Sequence, residues 1–81
     1  MTTWETLAMK HRIEHLVESA DYGDHVIIRM GLVFRKVRSA EGFPLWLDVG
    51  DPGPYPFHGT PEYIMGLLEA AEVGGKPWSL S

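Results

Sequence analysis

Residues 25–38, HVIIRMGLVFRKVR, decide the fold of this chain. They are rich in β-branched residues, which favour strands, but fourteen residues would make an unusually long single strand. Gly31 followed by Leu32 fits the Gly-X form of a type II′ turn. We therefore expect a hairpin whose strands cover residues 25–30 and 33–38.

The register of this hairpin decides which side chains share a face of the sheet. A turn at Gly31 sets Met30 opposite Val33 and predicts a mainly apolar core face that includes one arginine. That core face consists of Val26, Ile28, Met30, Val33, Arg35 and Val37. The opposite, mixed face consists of Ile27, Arg29, Phe34, Lys36 and Arg38. A turn displaced by one residue would change the partners across the hairpin but would keep the alternation within each strand.

A third strand is expected over residues 45–49, after a turn at residues 39–42. Its side chains alternate in the same way as those of the hairpin. The residues that extend the core face are Leu45, Leu47 and Val49. The residues that extend the mixed face are Trp46 and Asp48. The three strands therefore agree on one core face.

The first of two predicted helices covers residues 3–20. Thr2 and Glu5 have the spacing of a capping box, in which the hydroxyl binds the backbone of Glu5 and the carboxylate reaches back. The turn residues 21–24 end the helix. Its core stripe, at helical spacing, consists of Met9, Ile13, Leu16, Val17 and Ala20.

The second helix covers residues 60–73, with Thr60 as N-cap and Pro61 at the first helical position. Its core stripe consists of Ile64, Leu67, Leu68 and Ala71. The preceding segment, residues 50–59, contains three prolines and is predicted to be a loop packed on the domain. The tail, residues 74–81, is predicted to be irregular.

The order of elements predicts one small α+β domain over residues 1–81: a helix, a three-stranded antiparallel β-meander and a second helix. Both helices can pack on the core face, or one helix can pack on each side of the sheet. The number of Arg and Lys residues on the mixed face favours the first arrangement, which leaves that face open.

Composition and charge limit the kinds of site and the location that the protein can have. The chain has 81 residues, no cysteine and a net charge of −4, which excludes disulfides and thiolate zinc sites and argues against general phosphate binding. No apolar run has the roughly 18–20 residues needed to span a bilayer. The N-terminus lacks the pattern of a signal peptide. We expect a cytoplasmic protein that does not act at a membrane and needs no cofactor.

The mixed face is the first candidate binding surface. Four of the seven cationic residues of the chain lie within ten positions, close to two aromatic residues. The candidate partner-binding residues are Arg29, Phe34, Arg35, Lys36, Arg38 and Trp46. They suit an acidic protein surface, or nucleic acid if the aromatic rings stack on bases. An ordinary solvated sheet face is the alternative, because basic residues on exposed strands also protect against aggregation.

The first helix presents a second candidate surface, opposite its core stripe. Trp4, Leu7, His11 and His15 follow helical spacing and form a weaker apolar stripe. This stripe predicts a homodimer or a partner-binding helix, whose assembly would depend on pH if the histidines lie in the interface. The alternative is that Trp4 folds over the edge of its own domain.

The same helix contains H-x-x-E-H at residues 11–15, the spacing of the inverzincin zinc signature. His11 and His15 lie one turn apart, where both imidazoles can reach one zinc ion, with Glu14 as a general base and Glu18 as a third ligand. A hydrolytic site also needs a cleft that holds the substrate, and an outward helical face offers none. We therefore predict a solvated face here, with no catalytic residues and no resident metal.

The strand region shows one resemblance, carried by GLVFRKV at residues 31–37 and EGFPLWLDVG at residues 41–50. It resembles a β-meander of small uncharacterised accessory proteins from actinobacterial phages. The matching positions are Gly31, Val33, Phe34, Arg35, Lys36, Gly42 and Trp46. The similarity covers about a quarter of the chain, and it departs in having Phe34 where Trp is frequent and in adding a strong N-terminal helix. It implies an accessory protein that acts in the cytoplasm of a bacterial host, and it implies no catalytic residues.

The sequence thus predicts a non-catalytic protein–protein interaction module, encoded by a phage, that modulates a host protein and forms a homodimer. A nucleic-acid-binding accessory protein that uses the mixed face is the alternative function. A metal-dependent hydrolase on His11 and His15 comes third.

Overall fold

Two helices and five strands make up the computed structural model, which describes residues 2–29 and 31–81. In chain order they are α1 (Thr3–Ser19), β1 (His25–Ile28), β2 (Leu32–Arg38), β3 (Pro44–Asp48), β4 (His58–Gly59), α2 (Pro61–Val73) and β5 (Trp78–Leu80). The strands form one antiparallel sheet in the order β4-β3-β2-β1-β5. The predicted α+β class and the central meander are confirmed. No helix in these ranges is long and apolar enough to cross a membrane.

Two short edge strands were absent from the sequence prediction. β4 lies at the end of the proline-containing loop, and β5 lies in the tail that was predicted to be irregular. β5 is held by backbone bonds between His25 and Ser81, whose two N···O distances are 2.7 and 3.0 Å. Strands of two and three residues are too short to produce a detectable alternation in the sequence.

The caps of both helices form as predicted. The Thr2 hydroxyl accepts a hydrogen bond from the Glu5 amide at 3.2 Å, and the Thr60 hydroxyl accepts one from the Tyr63 amide at 3.1 Å. The Glu5 carboxylate binds the hydroxyl of Thr2, at 3.1 Å, rather than its backbone. These local bonds fix where each helix begins, because they satisfy amides that have no partner within the helix.

The register of the hairpin differs from the prediction. Val33 pairs with Ile27, and Ile28 pairs with Leu32, so Leu32 belongs to β2, and the turn includes Arg29 and Gly31 instead of Gly31 and Leu32. Gly31 adopts a φ of 90°, which suits glycine. The predicted partner of Val33, Met30, lies outside the described residues.

This register exchanges the two sides of β2 and β3 relative to β1. Directly opposed residues of antiparallel strands point to the same side, so Val26 shares its side with Phe34 rather than with Val33. Phe34 in turn lies on the side of Lys36 and Trp46. The predicted core face of Val33, Arg35, Val37, Leu45, Leu47 and Val49 is therefore wrong. The physical reason is size, since Phe and Trp remove much more apolar area from water than Val and Leu do.

Both helices pack on the side of the sheet that carries the aromatic residues. One continuous core joins the buried faces of α1, α2, β1, β2 and β3. Its residues are Met9, Ile13, Val17, Val26, Ile28, Phe34, Trp46, Ile64, Leu68 and Ala71. The arrangement with both helices on one face is the one predicted, but the opposite face of β2 and β3 is the one left open.

Candidate functional site

The side of the sheet that faces away from α1 and α2 carries no covering element within residues 2–29 and 31–81. We call this surface the open face. It consists of His25, Ile27, Val33, Arg35, Val37, Leu45, Leu47, Val49, His58 and Ser79. Six of these ten residues are aliphatic. Ile27 is 44% exposed and Val49 is 43% exposed, so the open face presents apolar atoms to solvent.

The strand register arranges the open face in rows that run across the sheet. One apolar row contains Ile27, Val33 and Val49, because Val33 pairs with Ile27 and its carbonyl accepts a bond from the Val49 amide at 3.1 Å. The other apolar row contains Val37 and Leu45. Neighbouring rows are about 7 Å apart, since two residues of a strand span that length.

A third row lies between the two apolar rows, and we call it the basic row. It consists of His25, Arg35, Leu47 and His58, which are in register across four strands. Arg35 is exposed near the middle of the sheet. The open face therefore alternates apolar, basic and apolar along the direction of the strands.

Carboxylates are absent from every outward position of the five strands. The two ion pairs found within the described part of the chain join α1 to α2, between Lys10 and Glu69 and between Arg12 and Glu72. Neither pair involves Arg35. The guanidinium group of Arg35 is thus available to an acidic group from another molecule.

The structure divides the predicted partner-binding residues between the two sides of the sheet. Arg35 lies on the open face, and Arg29 follows β1 and is exposed. Phe34 is 2% exposed and Trp46 is fully buried, so the prediction that these rings lie on a solvent-facing surface is wrong. The corrected register explains the error, because it turns both rings towards the helices.

Lys36 is also buried, with 6% of its surface exposed, and it has a structural role. Its Nζ donates to carbonyl oxygens at the end of α1, at 2.7 Å to Ala20 and 3.3 Å to Glu18. The last carbonyls of a helix have no partners within the helix and carry partial negative charge. Lys36 therefore connects β2 to the C-terminus of α1, while its aliphatic stem packs in the core.

Arg38 points to the same side as Lys36, at the end of β2. Its guanidinium carbon lies 4.3 Å from the centre of the Tyr22 ring, and its Nη1 donates to the Gly42 carbonyl at 3.3 Å. These contacts hold the segment after α1 against the sheet. Arg38 therefore does not belong to the open face.

The second candidate surface, on α1, is exposed. Trp4 is 78% exposed and Leu7 is 47% exposed, and His11 and His15 are exposed as well. The exposure of Trp4 excludes the alternative in which this ring folds over its own domain. Use of the stripe in a homodimer or by a partner stays a prediction.

The H-x-x-E-H motif lies on α1 among exposed residues. Within the described residues, no three His, Cys, Asp or Glu side chains are grouped so that they could hold a metal ion. His11 and His15 lie on the exposed side of α1, without a cleft. This geometry does not support the hydrolase hypothesis.

Two carboxylates position segments next to the open face. Asp51 accepts bonds from the Gly53 and Phe57 amides at 3.0 Å each, which lower the pKa of its carboxyl and order the loop before His58. Glu72 accepts bonds from Arg12 and, at 3.2 Å, from the indole nitrogen of Trp78 in β5. The bond from Arg12 is the main reason why the pKa of the Glu72 carboxyl lies below its ordinary value.

Most of the aliphatic residues of the open face were assigned to the core by the sequence analysis. A sequence signal for the correct side did exist, since Phe34 and Trp46 occupy the other side of β2 and β3. Comparison of the two sides by apolar area, rather than by the number of apolar residues, favours the side with the two large rings.

No family model, curated protein or solved structure matches this chain. The resemblance to phage accessory proteins therefore stays a prediction.

Proposed function

We propose that this protein is a non-catalytic protein-binding module and that its open face is the binding surface. The observation that carries the proposal is the uncovered apolar surface of the sheet, where five aliphatic side chains lie in two rows and a sixth, Leu47, lies in the basic row between them. Contiguous exposed apolar surface commonly marks interaction sites, because its burial against a partner is favourable. The phage-encoded accessory role that modulates a host protein belongs to this proposal.

A different protein fits the open face better than a second copy of the chain. A two-fold symmetric dimer pairs a patch with itself, and here the Arg35 guanidinium groups of the two copies would be brought close together. Like charges brought together in an interface are unfavourable. A homodimer, if it forms, is better served by the α1 stripe of Trp4, Leu7, His11 and His15.

Nucleic acid fits less well than protein. The sequence-based hypothesis depended on stacking of bases on Phe34 and Trp46, and both rings are buried beneath the helices. On the open face, Arg35 lies beside the aliphatic Val33, Val37 and Leu47, and only His25, its partner on β1, offers a ring. Loss of a captured partner after nuclease treatment would favour the nucleic-acid alternative and contradict the present proposal.

The test compares two apolar residues of similar exposure on different surfaces. Ile27 on the open face is 44% exposed and Leu7 on α1 is 47% exposed. The tagged protein and the variants Ile27→Lys and Leu7→Lys are used to capture proteins from a bacterial lysate treated with nuclease, after circular dichroism has established that all three are folded. We expect specific partners that Leu7→Lys retains and Ile27→Lys loses.

The opposite pattern, in which only Leu7→Lys loses the partner, would assign binding to α1 and overturn the open face as the site. Equal capture by both variants would overturn it too. Because each variant adds the same charge in place of a similar apolar group, a difference between them reports the surface rather than the net charge.

A further inference from the structure

The charge distribution of the chain differs sharply between the open face and the rest of the molecule. The chain has eleven acidic residues and a net charge of −4, yet none of the acidic residues occupies an outward position of the sheet. They lie on the helices, in the loops and, for Asp48, on the inward side of β3. The open face is thus a basic and apolar island on an acidic protein.

Resting on the proposed function above, we propose that the partner docks through an amphipathic acidic helix, with carboxylates on the basic row and apolar side chains on the two rows beside it. Charge complementarity favours an acidic partner, because Arg35 has no carboxylate neighbour on the open face. A long negative segment without apolar groups would leave the flanking rows exposed.

The dimensions of the open face fit one helix. The strands β1, β2 and β3 are spaced by about 4.8 Å, so they span about 10 Å, which is close to the diameter of a helix with its side chains. A helix that lies along the strands crosses an apolar, a basic and an apolar row about 7 Å apart. Its turns repeat every 5.4 Å or so. The matching pattern is an apolar, an acidic and an apolar residue about one turn apart, near i, i+4 and i+8.

A second copy of the chain does not present such a helix freely. In α2, Met65, Glu69 and Val73 have this spacing, but Met65 packs against the core and Glu69 pairs with Lys10. The exposed stripe of α1 carries Trp4 and Leu7 near its start, but His11 and His15 follow them where the pattern requires a carboxylate. Docking of α1 on the open face of another copy would also be a heterologous contact, which extends into open chains unless it closes into a ring. Concentration-dependent growth in light scattering would reveal this occupant and overturn the proposal.

The test uses two labelled helical peptides with the same leucine positions, one with glutamate and one with lysine at the intervening i+4 positions. Fluorescence anisotropy measures their binding to the full chain and to the variants Arg35→Glu and Lys10→Glu. We expect the glutamate peptide to bind and the lysine peptide not to bind. Arg35→Glu should weaken the glutamate peptide by about tenfold or more, which corresponds to about 1.4 kcal/mol, and should gain affinity for the lysine peptide.

Lys10→Glu is the matched control, because it makes the same charge reversal on α1, away from the open face. Equal weakening by both variants would mean that net charge alone drives binding, and it would overturn the proposal. Absence of binding by the glutamate peptide would also overturn it.

The failure of this proposal is distinguishable from the failure of the proposed function. If Ile27→Lys abolishes capture of the natural partner while Arg35→Glu leaves capture unchanged, the open face binds protein, but the partner does not dock through an acidic helix. If both variants retain capture, the open face is not the binding surface.

Discussion

The two sides of the central sheet are built from neighbouring residues of the same strands, and they serve opposite purposes. Trp46 is fully buried beneath the helices, whereas Leu47, the next residue of β3, belongs to the open face. In β2, Lys36 is buried and Arg35 is exposed. In β3, the large ring faces the helices and the smaller aliphatic side chain faces outward. In β2, Lys36 buries its aliphatic stem, whereas Arg35 is exposed.

The comparison teaches that apolar character alone does not define the core of a small domain. The outward side of β2 and β3 has more aliphatic residues than the inward side, but the inward side has the two large aromatic rings. A core with few residues depends on the area that each one buries. The surplus aliphatic residues then remain on the surface, where they are available to a partner.

The largest effect expected from the comparison concerns the neighbours Trp46 and Leu47. Trp46→Ala should lower the free energy of unfolding by about 3–5 kcal/mol, because it removes a large buried side chain and leaves a cavity. Leu47→Ala should lower it by less than about 1 kcal/mol, because Leu47 is already in contact with solvent. Urea unfolding monitored by circular dichroism measures both values.

The indole nitrogen of Trp46 is buried and has no hydrogen-bond partner among the described residues, so the expected loss reflects packing rather than a broken hydrogen bond. A loss of similar size for Leu47→Ala would show that the open face is covered in solution, for example by another copy of the chain.

The sequence predicts the helices well because the signals that define them are local. Thr2 with Glu5 and Thr60 with Pro61 mark the starts, and the apolar stripes repeat with the helical period. The position of both helices on one side of the sheet was also predicted. These features depend on residues within a few positions of one another, which a single sequence displays directly.

The register of the hairpin was not predictable by the same means. Both sides of β2 and β3 carry apolar residues, so the alternation along each strand is compatible with either side facing the core. Gly31 is compatible with a turn of two residues and with the longer turn that is present. The inward position of Lys36 depends on carbonyl groups at the end of α1, which are distant in sequence. As a result, the predicted binding face included three residues that are buried.

The next largest effect concerns the neighbours Lys36 and Arg35. Lys36→Met keeps an apolar stem but removes the ammonium group from the carbonyls at the end of α1. It should lower the free energy of unfolding by about 1–3 kcal/mol, because those partly buried carbonyls lose a charged donor. Arg35→Met should change it by less than about 0.5 kcal/mol, as expected for a surface residue. Urea unfolding at neutral pH provides both values.

Equal effects of the two methionine variants would contradict the separate roles of these residues. A neutral result for Lys36→Met would show that water satisfies the end of α1 without the lysine. Amide hydrogen exchange in the last turn of α1 separates the two cases, since loss of the Lys36 bonds should accelerate exchange there first.

The smallest effect concerns the charges on the side of the helices. The pKa of the Glu72 carboxyl is lowered in the folded protein, chiefly by the bond from Arg12, from an ordinary value of 4.5. As pH falls, the unfolded chain therefore takes up its proton at Glu72 before the folded chain does. The stabilisation is fully present above about pH 4.5 and is lost as pH falls through the lower pKa of the folded state.

Glu72→Gln should remove this part of the pH dependence and should make the decline of the melting temperature below pH 4.5 less steep. The effect at neutral pH should be small, because exposed ion pairs contribute about 0.2–1 kcal/mol. Thermal unfolding between pH 3 and pH 7 measures both quantities, and Arg12→Gln provides the second arm of a double-mutant cycle. With Gln at residue 12, Glu72→Gln should have little further effect on the decline. An undiminished effect would show that the bond from Trp78, rather than the bond from Arg12, is the main cause of the lowered pKa of Glu72.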